Sequence, residues 1–250
     1  MREIFLFKVA MEGFFEKVIA GRYLCYFCLF KQKNMLQVKK FIFNPFQLNA
    51  YVVYNETGEA LIFDPAVSTP QEMQQLENFI AENHLTPKLL VNTHSHIDHI
   101  LGNQKVAERY GIKLAAHPAG QPFLDRAFDS AARFGLPLEG VKPIDRPLQE
   151  GDRLLLGNDI LQVLDTPGHA DGSLCFYAEK EGFVITGDVL FYQSIGRTDL
   201  PTGDYNKLQK SIWEKLFVLP DETVVYPGHG PDTKIGREKT ENPFVAIGIE

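Results

Sequence analysis

"THSHIDH" spans Thr93–His99 and places His94, His96, Asp98 and His99 within six residues. The chain has 250 residues and seven histidines, and three of the seven fall here. The stretch follows "KLLVN" (Lys88–Asn92), an apolar run that reads as a short buried strand. Three other stretches repeat the arrangement: His169 follows "ILQVLDTPG", Asp188 follows "FVITG" and His229 follows "TVVYPG". In all four, an apolar strand ends in a short turn bearing Gly or Thr and then presents an imidazole or a carboxylate. Strand ends along one rim of a sheet are where α/β proteins build their sites. Imidazole and carboxylate together suit zinc, iron or manganese.

Five histidines and two aspartates make seven candidate ligands, more than one tetrahedral ion accepts. Alternate residues of an extended turn point to the same side, so His94 and His96 suit one ion while Asp98 and His99 face another. Two ions about 3.5–4 Å apart, bridged by a carboxylate, would use all seven. A lone histidine at such a place is usually a satisfied core residue. Three within six residues, with two more at strand–turn ends, are not explained that way.

Composition narrows the function classes. A charged fraction of 23% and a hydrophobic fraction of 44% are those of a globular protein, and the length suits one α/β domain or two small ones. The net charge of −7 argues against a nucleic-acid partner. No apolar run approaches the roughly 20 residues that span a bilayer. Cys25, Cys28 and Cys175 are too few for a disulfide framework, so a reducing, cytoplasmic setting is expected. The first 34 residues hold six basic and three acidic side chains, and the remainder holds 19 and 29. Their "YLCYFCLF" (Tyr23–Phe30) has no clean period, and charges interrupt any signal-peptide core. Residues 1–34 are therefore expected to be an N-terminal extension, or a mis-called start ahead of Met35, with the catalytic domain at 35–250. Cys25 and Cys28 lack a second cysteine pair that would make a metal site.

From Met35 the pattern becomes regular. "KKFIFNPFQLNAYVVY" and "EALIFDP", joined by "NETGE", predict a hairpin. "STPQEMQQLENFIAENHL" predicts a helix, with Pro70 in its first turn and Met73, Leu76 and Ile80 at helical spacing. "LGNQKVAERYG" reads as a helix closed by Gly111, "SLCFYAEKEGFVITGD" as a hairpin turning at Glu181–Gly182, and "DYNKLQKSIWEKLF" as a further helix. Hairpins mixed with crossover helices predict mixed sheets covered by helices.

"THSHIDH" resembles the His-x-His-x-Asp-His signature of the metallo-β-lactamase superfamily. The later elements stand in that superfamily's order: "TPGHADGS", "ITGDVLF" and "YPGHG", with "LIFDP" similar to its first motif. The likeness runs from about Lys39 to the end. "IGRTDLPTGD" (Ile195–Asp204) and "GPDTKIGREKTENPF" (Gly230–Phe244) resemble the compact, single-domain members of the glyoxalase II-like branch. The resemblance implies an α/β fold, a four-layer αββα sandwich of two mixed sheets with metals at one edge between them. It implies His94, His96 and His169 on a first ion, Asp98, His99 and His229 on a second, and Asp188 bridging. Asp64 is implied to orient the ligand loop from behind. Two divalent ions are implied, zinc first, with iron or manganese as alternatives. They would turn water into hydroxide near neutral pH and stabilise the oxyanion formed at an acyl carbonyl. Asp98 and Asp188 would be the catalytic carboxylates, Asp98 also accepting a proton. No Gly-x-Ser-x-Gly is present, and Cys175 lies within an apolar strand, where packing is its expected role.

The implied substrate is a small 2-hydroxyacyl thioester. Full-length glyoxalase II adds a helical domain carrying basic glutathione contacts, whereas 21 residues follow His229 here, which leaves glutathione recognition open. The segment Pro118–Arg146, with Phe123, Phe128, Phe134, Leu136 and Leu138, reads either as an acyl pocket or as a peripheral helix. His117 and His84 carry no motif, and Arg197 is expected to pair within the fold. A persulfide dioxygenase of the same superfamily would use one iron on His94, His169 and Asp188. Such relatives carry Ala-His-Asp-Tyr at the last motif, where this chain has Gly228-His229-Gly230. A lactonase or β-lactamase would use the same ions. A non-enzymatic metal module is disfavoured, because structural zinc sites are closed and rich in cysteine.

Overall fold

The computed structural model describes residues 35–246, so the expectations for residues 1–34, Cys25 and Cys28 included, lie outside the described residues. β1 (Gln37–Phe43), β2 (Leu48–Tyr54) and β3 (Glu59–Phe63) form an antiparallel meander. "KKFIFNPFQLNAYVVY" is thus two strands rather than one. Asn44 and Gln47 both take a φ of 55°, and Asn44 Oδ1 accepts from Phe46 N at 2.8 Å, an Asx turn between apolar runs. The predicted hairpin at 55–58 is present between β2 and β3. α1 (Pro70–Glu82) crosses to β4 (Thr86–Val91), α2 (Ile97–Ile100) and α3 (Asn103–Tyr110) lead to β5 (Lys113–Ala116), and α4 (Gln121–Asp125) and α5 (Ala127–Phe134) lead to β6 (Arg146–Pro147). β3 to β6 pair in parallel, completing a six-stranded sheet in chain order.

The second sheet contains β7 (Arg153–Leu156), β8 (Asp159–Asp165), β9 (Leu174–Ala178) and β10 (Phe183–Gly187). A small hairpin follows, β11 (Leu190–Phe191) with β12 (Ser194–Ile195), then α6 (Tyr205–Ser211), β13 (Val224–Pro227), β14 (Thr233–Lys234) and α7 (Ile235–Glu241). Its order is β14-β13-β10-β9-β8-β7, with β10 and β13 parallel. The predicted helix "DYNKLQKSIWEKLF" is α-helical only to Ser211, and Ile212–Leu216 winds as a π-helix.

Strand periodicity sorts the side chains into layers. Tyr51, Val53, Leu61, Phe63 and Val91 face Leu161, Val163, Phe176 and Ile185 across the sheets, and Phe63 meets Phe176 at 5.0 Å between ring centroids. Their neighbours Ala50, Val52, Ala60 and Ile62 face outward onto Met73, Leu76, Ile80 and Val106 of α1 and α3. Leu208, Ile212, Leu216 and Ile235 cover the far face of the second sheet. Both faces of the central strands are buried, which is why they read as continuous apolar runs. The result is the expected αββα sandwich. α1 begins with a capping box: Glu72 N donates to Thr69 Oγ1 at 3.2 Å and Thr69 N to Glu72 Oε2 at 3.0 Å, a feature worth about 1 kcal/mol. Gly111 closes α3 with a φ of 63°, as read.

Backbone bonds stitch the two sheets together at one rim. Leu174 N donates to Thr93 O at 2.7 Å, and Asn49 N to Gly228 O at 2.7 Å. At this rim β4, β8, β10 and β13 end, and the residues just beyond them are the seven candidate ligands.

Candidate metal centre

Five imidazoles meet in the gap between the sheet ends. His169 Nδ1 donates to Arg197 O at 2.8 Å, His229 Nδ1 to Phe46 O at 3.1 Å and His99 Nδ1 to Asp64 Oδ2 at 3.0 Å. Carbonyl and carboxylate oxygens can only accept, so each Nδ1 carries a hydrogen, and in the neutral form of these rings the lone pair stands on the inward-facing Nε2. His94 Nε2 lies 3.1 Å from His96 Nδ1, which lies 2.9 Å from His169 Nε2. The three ring nitrogens converge on one point of the rim. Across from them, Asp98 Oδ2 lies 3.8 Å from His99 Nε2 and 3.3 Å from His229 Nε2. Asp98 and His99 reach this position from the short helix α2 rather than from an extended turn.

Asp188 stands between the trios. Its Oδ1 is 3.4 Å from His99 Nε2, and its Oδ2 is 3.6 Å from both His169 Nε2 and His229 Nε2. His99 Nε2 and Asp188 Oδ1 are buried with no hydrogen-bond partner. Buried polar atoms are normally satisfied, and a cation would satisfy these. Among the described residues three groups have ligand atoms all within 4.8 Å of one another: His94, His96 and His169; His94, His99 and Asp188; and Asp98, His99 and His229, the last two containing the orphaned atoms. The donor chemistry fits divalent ions.

Electrostatics agree. Burial, then the neighbouring imidazoles, holds His94 well below the ordinary histidine range and pushes His96 down to about 4, so both rings are neutral at pH 7. Burial also presses on His99, but Asp188, Asp64 and Asp98 outweigh it and raise it well above that range. Burial opposes ionisation of Asp188, yet His99, His229 and His169 hold it below the usual carboxylate range. Carboxylates crowded around a fully buried ring call for positive charge at this spot.

Asp64 does not face the converging atoms. It is buried, takes a φ of 44°, and accepts from Thr93 N at 2.9 Å, Thr93 Oγ1 at 2.6 Å and Asn92 Nδ2 at 3.1 Å as well as from His99. Sequence reasoning missed other positioning groups. A Cβ on Gly228 would lie 2.2 Å from Asp188 Oδ1 and 3.1 Å from His99 Cε1, so only glycine lets that carboxylate sit where it does. Asn44 Nδ2 donates to Asp98 O at 2.9 Å, and Asn44 N to Glu72 Oε1 at 2.7 Å, tying the α1 cap to the ligand loop. Glu238 of α7 is fully buried and accepts from Gln193 N at 2.9 Å, Thr233 Oγ1 at 2.6 Å and Asn242 Nδ2 at 2.8 Å. Asn242 Nδ2 also donates to Ser194 O at 3.0 Å. Together they pin the β11–β12 hairpin. The one available signal was the helical i, i+4 spacing of Glu238 and Asn242.

Above the ligands opens a cavity of about 510 Å³ with His96, Asp98, His169, Asp188 and His229 at its floor. Phe46, Ile97, Phe123, Phe134, Phe191, Ile195 and Leu200 line it. The segment Pro118–Arg146 is divided: Phe123 stands 5.1 Å from the His96 ring and Phe134, half exposed like Phe128, lies 5.7 Å from Phe46, while Leu136 packs under α5. His117 accepts from Ala119 N and His84 is exposed, and neither belongs to the three converging groups. Cys175 is buried against Thr166, and burial pushes its thiol up to about 12, in keeping with a packing role.

The sequence profile of the metallo-beta-lactamase superfamily matches residues 43–229. The chain belongs to the metallo-beta-lactamase superfamily. It is 38% identical over 205 residues to the probable metallo-hydrolase YqgX of Bacillus subtilis, covering 80% of this chain and 93% of that one. It is 36% identical over 202 residues to the hydroxyacylglutathione hydrolase GloC of Haemophilus influenzae, with 80% and 93% covered. Among solved structures, the BLEG-1 B3 metallo-beta-lactamase superposes with a TM-score of 0.77 at 40% identity, covering 84% of this chain and 99% of that one. TTHA1623 in a di-iron-bound form gives 0.74 at 36%, covering 83% and 100%. As a member of this metallo-hydrolase superfamily, the chain has the His and Asp clusters of a divalent-metal enzyme.

Proposed function

We propose that the chain hydrolyses a small 2-hydroxyacyl thioester at a two-ion centre. His94, His96 and His169 would hold one ion, Asp98, His99 and His229 the other, with Asp188 between. The observation that carries this reading is the Asp188 carboxylate, whose oxygens lie within 3.6 Å of ring nitrogens from both trios. The name of the Haemophilus relative supports the thioester. Zinc is the first choice for these donors, and the di-iron form of TTHA1623 supports iron as an alternative, with manganese a third. When bound, such ions lower the pKa of a water from about 15.7 toward about 7 and polarise the acyl oxygen.

The chain's own residues do the rest. Asp98, partly open to the cavity, would take the proton released by the attacking water. Asp188 stays ionised and keeps negative charge between the trios. Phe123, Phe134 and Ile195 would seat the acyl group and keep bulk water off it. A thiolate leaves with little protonation, so no acid is needed at sulfur. The companion proposal is a cytoplasmic location, from the few cysteines. No helix among the described residues is long and apolar enough to cross a membrane.

The test is a metal assay on the purified full chain with a substrate panel: lactoylglutathione, a second acyl thioester, a penicillin, an acyl lactone, and glutathione persulfide with oxygen monitored. About one to two equivalents of metal and thioester cleavage are expected. Asp188→Ala should abolish nearly all activity without unfolding the chain. Oxygen uptake with no thioester cleavage would instead establish the one-iron dioxygenase. A chain that is metal-free and fully active would end the reading.

A further inference from the structure

The cavity carries one charge that nothing answers. α5 brings Ser130, Arg133 and Phe134 to its lining. Arg133 is exposed, so it stands at the mouth, and among the described residues it makes no ion pair and no hydrogen bond. The other lining arginine, Arg197, is already engaged: its Nε and one terminal nitrogen each donate to Asp199 at 2.7 Å. Among the described lining residues, Arg133 alone presents an open guanidinium fork over an apolar wall.

We infer that Arg133 recognises an anionic group on the thiol half of the substrate. This rests on reading the cavity as an acyl-thioester site. The reacting carbonyl must then lie at the floor, among His96, Asp98, His169 and His229. A short acyl group fills the apolar walls, so the larger thiol half is what reaches the mouth and Arg133. A guanidinium holds a carboxylate or a phosphate through two parallel N–H bonds, and it stays charged at every relevant pH. Residues 35–250 hold 19 basic and 29 acidic side chains, so an unpaired cation beside the cavity is set against an acidic background, and at the mouth it would act on the part of the substrate that lies beyond the proposed ions. Arg133 also occupies the last turn of α5, where a cation complements the helix end. That role alone would act on stability and not on substrate choice.

The test uses the full chain loaded with metal and three lactoyl thioesters: of glutathione (carboxylates), of coenzyme A (phosphates) and of N-acetylcysteamine (neutral). Arg133→Met should raise KM for the anionic thioesters about tenfold, leave kcat within about twofold, and leave the neutral one unchanged. Arg133→Lys, which keeps the charge and loses the fork, should fall between. A loss confined to glutathione assigns the site to carboxylate, and one confined to coenzyme A assigns it to phosphate. An equal change in all three, or in none, overturns the inference. Calorimetry with S-methylglutathione and with S-methyl-coenzyme A separates it from the proposed reaction. Arg133-dependent binding of either without hydrolysis of any thioester would leave the anion site standing and remove the thioesterase. Hydrolysis with binding of both indifferent to Arg133 would do the reverse.

Discussion

Asp64 shows how much of a metal site can lie outside it. Its carboxylate gathers four donors, among them Thr93 and His99, 29 and 35 residues further along the chain. It thereby fixes which His99 nitrogen points inward. Asp64→Asn keeps the shape but replaces a charged acceptor with an amide. The expected outcome is a 10–100-fold loss of metal affinity in a competitive chelator titration, with the circular dichroism spectrum of a folded chain. Unchanged affinity would show that the tautomer is fixed by something else. The seven candidate ligands were legible because imidazole and carboxylate declare their chemistry wherever strands end. The role of Gly228 was not, because a missing Cβ gains meaning only once Asp188 and His99 have folded against it.

Helices and hairpins were legible wherever a backbone constraint was written into the chain, as at Pro70, Gly111 and Glu181–Gly182. The split of β1 from β2 was not, because Phe46 disguises an Asx turn as apolar strand. The buried face of α7 was also hidden: "GREKTEN" is charged at four of its seven positions, yet Glu238 is its buried anchor. Glu238→Ala would strand Gln193 N, Thr233 Oγ1 and Asn242 Nδ2, at a cost of about 1–3 kcal/mol. The hairpin it pins carries Phe191 and Ile195 to the cavity, so KM should rise severalfold in steady-state assays while kcat falls less. Glu238→Gln, which keeps two acceptor lone pairs, should recover most of both. A variant that melts earlier with an unchanged KM would show that the hairpin holds without α7.

In the molecule as a whole, the proposed ions bind only the folded chain and so must stabilise it. At free metal 1,000-fold above the dissociation constant that amounts to about 4 kcal/mol, or on the order of 10 °C in thermal midpoint for a chain of this size. Chelator should lower the midpoint by that order, and added zinc should restore it. A midpoint indifferent to chelator would show that the ions are not structural ties. A chain beginning at Met35 should keep its metal, its hydrolysis and its midpoint to within about 2 °C, if residues 1–34 stand apart from the catalytic domain. Loss of metal or fold would make them part of the core. One consequence follows from the order of the strands. The first sheet is complete by Pro147, and the second begins only at Arg153. Each proposed ion nevertheless takes ligands from both sides of that short join: His94, His96, Asp98 and His99 from before it, His169, Asp188 and His229 from after it. Neither half of the chain can close a coordination shell alone. A polypeptide stalled or cleaved near Gly151 would hold only part of each proposed ligand set, and full metal uptake would become a checkpoint that only a finished, docked pair of halves can pass.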